Sequence, residues 1–266
     1  IFSIDRSMDY LTIMVNKLKE KLLRNEIAYG VWITMNCPDI VEALSMLDFD
    51  WMLIDMEHAP LTISDVQRLL QVIDEEKITP IVRVWWNDFV QIKLALDVGA
   101  MGVMIPWINN AKQAEEAVKA IRYPPRGMRG YGPRRAAKYG LKLKEYLERV
   151  DEDIMLISQI ETLEAVKNLD EIISVEGVDA LFIGPYDLAT SLGYLGNPQH
   201  SEVQKIISEI LNKCLEKNKP IGIYSSLEMA EKHRDMGFKM IAIGSEINAL
   251  ISTFKNKLNE LKGSSK

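Results

Sequence analysis

Four segments of the sequence place acid–base or metal-binding side chains in or directly after short apolar runs. They are Asp55-Met56-Glu57-His58, Arg83 within PIVRV, Gln159-Ile160-Glu161 and Gly184-Pro185-Tyr186-Asp187. Continuous apolar runs are typical of strands buried on both faces, and a charged side chain without a partner is costly in a core. The four segments therefore predict one site to which several strand ends contribute.

Glu161 and Asp187 are the candidate metal ligands. Carboxylate oxygens and water suit Mg²⁺ or Mn²⁺, and two carboxylates leave positions open for a chelating substrate. The alternative is that each carboxylate caps the helix that follows it. For Asp187 alone both interpretations stay open, whereas the pair on neighbouring strand ends favours a metal.

His58 is the candidate general base, because it follows a strand end beside two carboxylates. The sequence has two other histidines. We expect His200 at the start of a helix. We expect His233, which lies between two basic residues, in solvent. His58 is therefore the histidine that the pattern assigns to chemistry.

Arg83 lies within an apolar strand, so its guanidinium needs an anionic partner if it points inward. One candidate partner is a substrate carboxylate or enolate. The other is Asp55, in an internal salt bridge.

Nucleophiles are poorly represented among the candidate site residues. Cys37 and Cys214 have no histidine at a telling spacing. Lys219 and Lys239 precede predicted strands, so they belong to the opposite face of a barrel. Schiff-base chemistry, which needs a lysine near the site, is therefore disfavoured.

The elements that position these side chains alternate strand and helix eight times. The predicted strands span residues 28–33, 51–55, 80–84, 102–105, 154–159, 180–183, 220–223 and 240–243. The predicted helices span residues 39–47, 63–74, 89–98, 111–121, 163–173, 203–217, 227–236 and 247–261. Eight even units predict an α/β fold, a closed (β/α)8 TIM barrel, and a doubly wound open sheet is the alternative. An extra amphipathic helix at about residues 10–25 precedes the barrel, and residues 122–141 are expected to be irregular.

Composition limits the remaining classes of protein. The chain has 266 residues, 47% hydrophobic and 26% charged, which predicts one barrel domain over residues 1–266. A net charge of −6 predicts no nucleic-acid partner. The longest apolar runs are strand-length, which predicts no membrane span. With two cysteines and no signal-peptide pattern in the first residues, a cytoplasmic protein is expected.

Six segments resemble the HpcH/HpaI family of metal-dependent pyruvate aldolases. They are WMLIDMEHAP (51–60), PIVRV (80–84), ALDVGAMGVMIP (95–106), RYPPRGMRGYG (122–132), QIET (159–162) and VDALFIGPYDLATSLGY (178–194). The resemblance runs from about residue 30 to residue 250. It implies a divalent ion (Mg²⁺, Mn²⁺ or Co²⁺), the small-molecule partners of a pyruvate aldolase, and a homo-oligomer, typically a hexamer.

The resemblance also implies roles for the residues around the expected ion. Glu161 and Asp187 would hold the metal. Gln159, together with the backbone amides of Tyr186 and Asp187, would bind the carboxylate of a 2-oxo acid. Arg83 would stabilise the transition state.

His58 matches the family's base, which acts through water, and Asp97 matches an aspartate that raises the basicity of that histidine. The predicted barrel places Asp97 near the end of a helix, at the wrong face for an easy reach to His58. Either the helix boundary differs, or the pairing crosses a subunit interface. Asp55 is the nearer residue that could orient His58.

The predicted function is a retro-aldol lyase. It would cleave a 4-hydroxy-2-oxo acid to pyruvate and an aldehyde through a metal-stabilised enolate. The alternatives are decarboxylation of a 2-oxo acid at the same site, and a catalytically silent barrel that serves binding or assembly. Tyr186, Tyr224 and Glu246 depart from the residues usual in the family, and they bear on the aldehyde. A substrate contact by the Tyr224 hydroxyl would favour a polar or carboxylate-bearing aldehyde, whereas simple packing of the ring would not.

Overall fold

The computed structural model describes residues 15–263, which form a closed barrel of eight parallel strands. The strands are β1 (Ala28–Ile33), β2 (Trp51–Asp55), β3 (Thr79–Arg83), β4 (Gly102–Ile105), β5 (Met155–Ile160), β6 (Ala180–Ile183), β7 (Ile221–Tyr224) and β8 (Met240–Ser245). Each strand pairs with the next, and β8 pairs with β1. The predicted (β/α)8 barrel is therefore confirmed, and the open sheet is excluded.

The described residues contain twelve α-helices, more than the sequence predicts. They are α1 (Lys17–Leu23), α2 (Pro38–Ser45), α3 (Ile63–Val72), α4 (Phe89–Asp97), α5 (Ala111–Ile121), α6 (Leu143–Asp153), α7 (Leu163–Lys167), α8 (Leu169–Ile173), α9 (Pro185–Ser191), α10 (Ser201–Glu216), α11 (Ala230–Met236) and α12 (Glu246–Leu261). The helix predicted over 163–173 is two helices, and α6 and α9 were not predicted. The charged sequence of α6 buries few residues, and α9 begins at a proline. Between residues 15 and 263, no helix is both long and apolar enough to cross a bilayer.

Large apolar side chains fill the inside of the barrel, and a second apolar layer lies between strands and helices. Trp51 of β2 lies opposite Gly30 of β1. A Cβ at Gly30 would come within 2.1 Å of the indole ring. Glycine at this position therefore makes room for the tryptophan in the barrel interior.

Helix α1 closes the amino-terminal end of the barrel. Leu18 and Leu22 belong to the interior apolar cluster. Asn16 caps the helix through its side-chain oxygen, and its Nδ2 donates to the carbonyl oxygens of Met101 and Asp153. The predicted first helix is confirmed over Lys17–Leu23, and residues 10–14 of that prediction lie outside the described part of the chain.

Residues 122–141 are irregular, as predicted, apart from a short 3-10 turn at Lys138–Gly140. Arg129 donates from Nη2 to Oδ1 of Asp97 at 2.7 Å, and the backbone N–H of Arg135 donates to the carbonyl oxygen of Asp97. Because Asp97 ends α4 and therefore precedes β4, this segment packs near the amino-terminal end of the barrel.

His233 is buried, so the expectation that it lies in solvent is wrong. Its side chain is 4% exposed, and its Nδ1 lies 2.8 Å from Oγ of Ser225. Its ring also contacts the ring of Phe238 edge to face. Successive helical residues point about 100° apart, so the basic neighbours of His233 do not determine which way the imidazole points.

We expect His233 to make the stability of the fold depend on pH. Burial lowers the pKa of its imidazole from 6.5 to about 4. Between these values the unfolded chain binds more protons than the folded one, so the free energy of unfolding falls as pH falls through this window. Between pH 7 and pH 5 the free energy of unfolding of the wild type, measured with urea, should fall by roughly 2 kcal/mol more than that of His233→Gln. Equal losses in the two proteins would show that His233 does not carry this dependence.

Candidate active site

The carboxyl ends of the strands surround a pocket of about 360 Å³, which we call the inner pocket. It brings together six of the residues that the sequence nominates for the site. They are Asp55, His58, Arg83, Gln159, Tyr186 and Asp187. These six residues converge at the carboxyl ends of the strands, where barrel enzymes carry their active sites.

Two carboxylates fix Arg83 in this pocket. The β2–β3 pairing sets Asp55 directly opposite Arg83. Nε of Arg83 donates to Asp55 Oδ1 at 2.8 Å, and Nη2 donates to Oδ2 at 2.6 Å. The remaining Nη1 lies 2.8 Å from Oε2 of Glu57. The internal salt bridge, one of the two expected alternatives, is therefore present, and both sides of the guanidinium are occupied.

Within residues 15–263, Asp55 hydrogen-bonds the backbone of His58 and not its imidazole. Oδ1 of Asp55 accepts from the backbone N–H of Glu57 at 3.0 Å and of His58 at 3.4 Å. Its Oδ2 also accepts from Nε1 of Trp32 at 3.3 Å. Asp55 thus fixes the backbone of the turn that carries His58, and it makes no hydrogen bond to the imidazole ring.

The imidazole of His58 is open to solvent, with 60% of the side chain exposed. Its Nε2 lies 3.9 Å from Oε2 of Glu57, beyond hydrogen-bond distance. An exposed imidazole of this kind can exchange protons through water.

Glu57 is the site residue to which the sequence argument assigned no role, although it stands between Asp55 and His58. Burial raises the pKa of its carboxyl, while Arg83 and His58 act in the opposite direction.

Glu161 lies buried beneath the inner pocket, 1% exposed. Its Oε2 accepts from Nε2 of Gln159 at 2.5 Å, and its Oε1 accepts from the backbone N–H of Trp107 at 2.8 Å. A Cβ at Gly184 would come within 2.6 Å of Glu161 Oε2. Glycine at the end of β6 therefore leaves space above this carboxylate.

The electrostatics around Glu161 favour a bound cation. Burial, together with the charges of Glu57 and Asp187, raises the pKa of Glu161 to about 8. The nearby Arg83 is already held by Asp55 and Glu57. Grouped carboxylates with little solvent are stable as anions only beside a compensating positive charge.

The donor set also fits a divalent ion. Oε1 of Gln159 is buried and has no hydrogen-bond partner in the described part of the chain. No group of three or more His, Cys, Asp or Glu side chains within residues 15–263 is arranged to hold a metal. The protein would therefore supply two carboxylates, those of Glu161 and Asp187, and water and substrate would complete the coordination shell. Mg²⁺ is commonly bound in this way.

Helix capping does not account for Glu161. The N-cap of α7 is Thr162, whose hydroxyl oxygen accepts from the backbone N–H of Ala165 at 3.0 Å. The N-cap of α9 is Gly184, which has no side chain, and Asp187 lies in the first turn of that helix. For Asp187 the helix dipole stabilises the negative charge without replacing a ligand role.

Asp97 does not reach the inner pocket of its own chain. It ends α4, pairs with Arg129 and lies near the amino-terminal end of the strands. Burial raises the pKa of its carboxyl, while Arg129 acts in the opposite direction. The predicted pairing with His58 is therefore absent within the described residues of one chain.

The structure places the possible nucleophiles away from this chemistry. Cys214 is buried in α10, and burial raises the pKa of its thiol to about 12. Cys37, at the N-cap position of α2, lies at the same end of the barrel as the site but does not line the inner pocket. Nζ of Lys219 donates to the carbonyl oxygen of Val178, before β7 and at the far end of the barrel.

Tyr186 and Tyr224 form one side of the inner pocket, with ring centroids 6.5 Å apart. The hydroxyl of Tyr224 accepts from Nδ2 of Asn248 at 3.3 Å.

Glu246 serves a different purpose, because its Oε1 accepts from the backbone N–H groups of Thr34 and Met35 at 2.5 and 2.6 Å. It therefore joins the ends of β1 and β8.

Comparison with known proteins identifies the family. Residues 28–253 match the model of the family described as HpcH/HpaI aldolase/citrate lyase. The chain belongs to this family. A Pseudomonas putida 2-dehydro-3,6-dideoxy-6-sulfogluconate aldolase is 40% identical over 91% of this chain and 95% of its own. An Escherichia coli 4-hydroxy-2-oxo-heptane-1,7-dioate aldolase is 41% identical over 89% of this chain and 91% of its own.

Solved structures agree with the family assignment. A family member from Burkholderia cenocepacia J2315 has a TM-score of 0.89 and 33% identity, and covers 93% of this chain and 100% of its own. An HpcH/HpaI aldolase from Desulfitobacterium hafniense DCB-2 has a TM-score of 0.83 and 27% identity, and covers 92% of this chain and 96% of its own. The predicted resemblance and the predicted enzyme class, a lyase of the aldolase type, are confirmed.

Proposed function

We propose that this HpcH/HpaI family member is a divalent-metal aldolase that cleaves a 4-hydroxy-2-oxo acid to pyruvate and an aldehyde. The observation that carries the proposal is the buried Glu161 carboxylate, which Gln159 Nε2 and the backbone N–H of Trp107 hold and whose pKa the charge of Asp187 helps to raise. The fixed guanidinium of Arg83 and the exposed imidazole of His58 lie in the same pocket.

Glu161 and Asp187 would hold the ion, with Mg²⁺, Mn²⁺ and Co²⁺ as the candidates. When bound, a divalent ion supplies a Lewis acid that polarises the 2-oxo group. Gln159 lies beside Glu161. Together with the backbone amides of Tyr186 and Asp187 in the first turn of α9, it would bind the substrate carboxylate.

His58 would take the proton of the C4 hydroxyl through a water molecule, because its imidazole is exposed and lies in the pocket wall. Arg83 cannot move freely, since Asp55 and Glu57 hold it on both sides. It therefore presents a fixed positive charge to the negative charge that develops as the C3–C4 bond breaks.

The proposal includes the assembly of the protein. We propose a homo-oligomer, and the family resemblance implies a hexamer. Helix α12 supports association of copies, because one stripe of it exposes apolar side chains. The largest exposed ones are Leu250, Ile251, Phe254, Leu258 and Leu261. Exposed apolar stripes of this kind mark interaction surfaces.

The experiment that tests the function is pyruvate release from a panel of 4-hydroxy-2-oxo acids. The purified protein is stripped with chelator and then supplied with each divalent ion in turn. The two relatives are named for substrates with a second acidic group, a carboxylate or a sulfonate, so the panel includes such acids and uncharged analogues. We expect pyruvate only when an ion is present. Full turnover in the metal-free protein would reject the proposal.

We expect His58→Ala to lower kcat about 100-fold and to leave the fold unaffected, because the side chain is mostly exposed. KM for the 2-oxo acid should change little, since Gln159 and the ion bind the acid end. Single-substrate kinetics and thermal unfolding measure both effects. An unchanged kcat would move the base role to another group.

A further inference from the structure

The inner pocket adjoins a second, larger cavity of about 600 Å³, which we call the distal cleft. The two cavities share wall residues, namely Pro185, Tyr186, Tyr224, Ser245 and Asn248. A substrate whose 2-oxo acid end lies in the inner pocket can therefore extend past the two tyrosines into the distal cleft.

We propose that the distal cleft receives the aldehyde half of the substrate and selects an uncharged, hydroxylated chain over an anionic one. This inference rests on the proposed aldolase function, because that function places the pyruvate half in the inner pocket.

The lining of the distal cleft is of mixed polarity and carries no Lys or Arg among the described residues. Its walls present amides and hydroxyls, from Asn197, Gln199, Gln204, Ser225, Ser226 and Ser252. The hydroxyls of Ser225 and Ser252 already donate to backbone carbonyl oxygens, so they can offer a ligand only an acceptor oxygen. Amides and hydroxyls both donate and accept, so they match the alcohol groups of a polyol chain. A carboxylate, sulfonate or phosphate accepts only, and proteins hold such groups with Arg or Lys.

Glu228 makes the cleft unfavourable for an anion. Among the described residues Glu228, which is exposed, is the one Asp or Glu of the lining, and burial lowers the pKa of the one lining histidine, His233, to about 4. A carboxylate in the wall repels a second negative charge.

Arg83, the cationic side chain of the inner pocket, is not available to the cleft. Both sides of the Arg83 guanidinium are bound, at 2.6 Å to Asp55 and 2.8 Å to Glu57. An anionic tail in the cleft would therefore lie near Glu228 without a counter-charge from a Lys or Arg of the lining.

Tyr224 offers a specific contact where the two cavities meet. Its hydroxyl oxygen accepts from Asn248 Nδ2 at 3.3 Å, so its own proton remains available to a substrate oxygen. The ring of Tyr186 packs edge to face against that of Tyr224, with centroids 6.5 Å apart, so the two rings form one wall that both cavities share. A hydroxyl close to the aldehyde carbon can accept from Tyr224 and donate to an amide oxygen of the wall, whereas an anion can only accept.

The test compares aldehydes of matched length in aldol addition to pyruvate, with the ion present at pH 7. The two-carbon pair is glycolaldehyde and glyoxylate, and the four-carbon pair is erythrose and succinic semialdehyde. We expect kcat/KM for the uncharged member to exceed that for the anion by about 10-fold or more in each pair. Proton–deuterium exchange at the pyruvate methyl group, followed by NMR, reports the pyruvate half without any aldehyde.

A charge reversal in the cleft wall should change the preference. We expect Glu228→Lys to raise kcat/KM for the anionic aldehydes about 10-fold relative to their uncharged partners. The matched control is Glu216→Lys, at an exposed residue where α10 ends before β7, at the amino-terminal end of the barrel. This control makes the same change in net charge and should leave both the preference and the exchange at wild-type values.

Two results would overturn the inference while leaving the aldolase function intact. One is preference of the wild-type protein for the anionic aldehydes, with pyruvate exchange observed. The other is an equal shift in preference for Glu228→Lys and Glu216→Lys. Absence of pyruvate exchange with every ion would instead reject the proposed function, and the inference with it.

Discussion

Glu161→Gln is expected to lose measurable binding of Mn²⁺ and to release pyruvate about 1,000-fold more slowly than wild type. The amide keeps the size of the side chain and its contact with the Trp107 N–H, but it removes the negative charge that Glu161 would contribute to metal binding together with Asp187. Calorimetric titration with Mn²⁺ and a coupled pyruvate assay measure the two losses.

The same variant should not be destabilised in chelator. Because burial and neighbouring carboxylates raise the pKa of Glu161 from 4.5 to about 8, its ionisation destabilises the metal-free fold as pH rises through that range. At pH 8 without metal, the free energy of unfolding of Glu161→Gln should therefore equal or exceed that of wild type. Glu164→Gln, the same change at an exposed position three residues later, is the control and should leave metal binding and turnover unchanged. Wild-type metal affinity in Glu161→Gln would exclude Glu161 as a ligand.

Arg83→Lys is the second change with a large expected effect. One ammonium cannot make the paired bonds to Asp55 and also reach Glu57, which the guanidinium does with three nitrogens. We expect kcat to fall about 100-fold and the free energy of unfolding to fall by about 2 kcal/mol, since buried carboxylates lose part of their partner.

A second arginine separates the two effects. Arg135 is also largely buried and pairs with Glu75, but it lies near the amino-terminal end of the barrel. Arg135→Lys should lower the free energy of unfolding by a similar amount and leave kcat near wild type. If Arg83→Lys raised KM and left kcat unchanged, Arg83 would instead bind the carboxylate of the ground state.

The sequence predicted the barrel well because each strand is a continuous apolar run that ends where the polar residues begin. The predicted strand 80–84 is β3, Thr79–Arg83, a shift of one residue. Helices were predicted less well. Apolar periodicity does not detect α6, in which only Tyr146, Val150 and Asp153 are buried. The burial of His233 was also missed, because its contact with Ser225 depends on how α11 packs on β7.

The site was predicted in outline for a simple reason. Parallel strands end at the same side of a barrel, so residues at strand ends must meet. Two features could not be predicted. The partner of Glu161 is a backbone N–H, of Trp107, and a backbone group leaves no signal in residue types. Nor could the sequence decide whether the Asp55 carboxylate binds the imidazole of His58 or the guanidinium of Arg83, because both groups lie within its reach.

The bond from Glu246 to the end of β1 has a consequence for how the chain is made. Glu246 lies 212 residues after Thr34 in the sequence. The first strand therefore leaves the ribosome long before the residues that complete its edge, β8 and Glu246, are synthesised. Until then β1 has one free edge, which is a surface for mispairing with another nascent chain. Contacts between residues so far apart in the sequence form slowly, because closing the loop costs entropy. The free edge of β1 therefore remains open to aggregation until β8 has been synthesised and has paired with it.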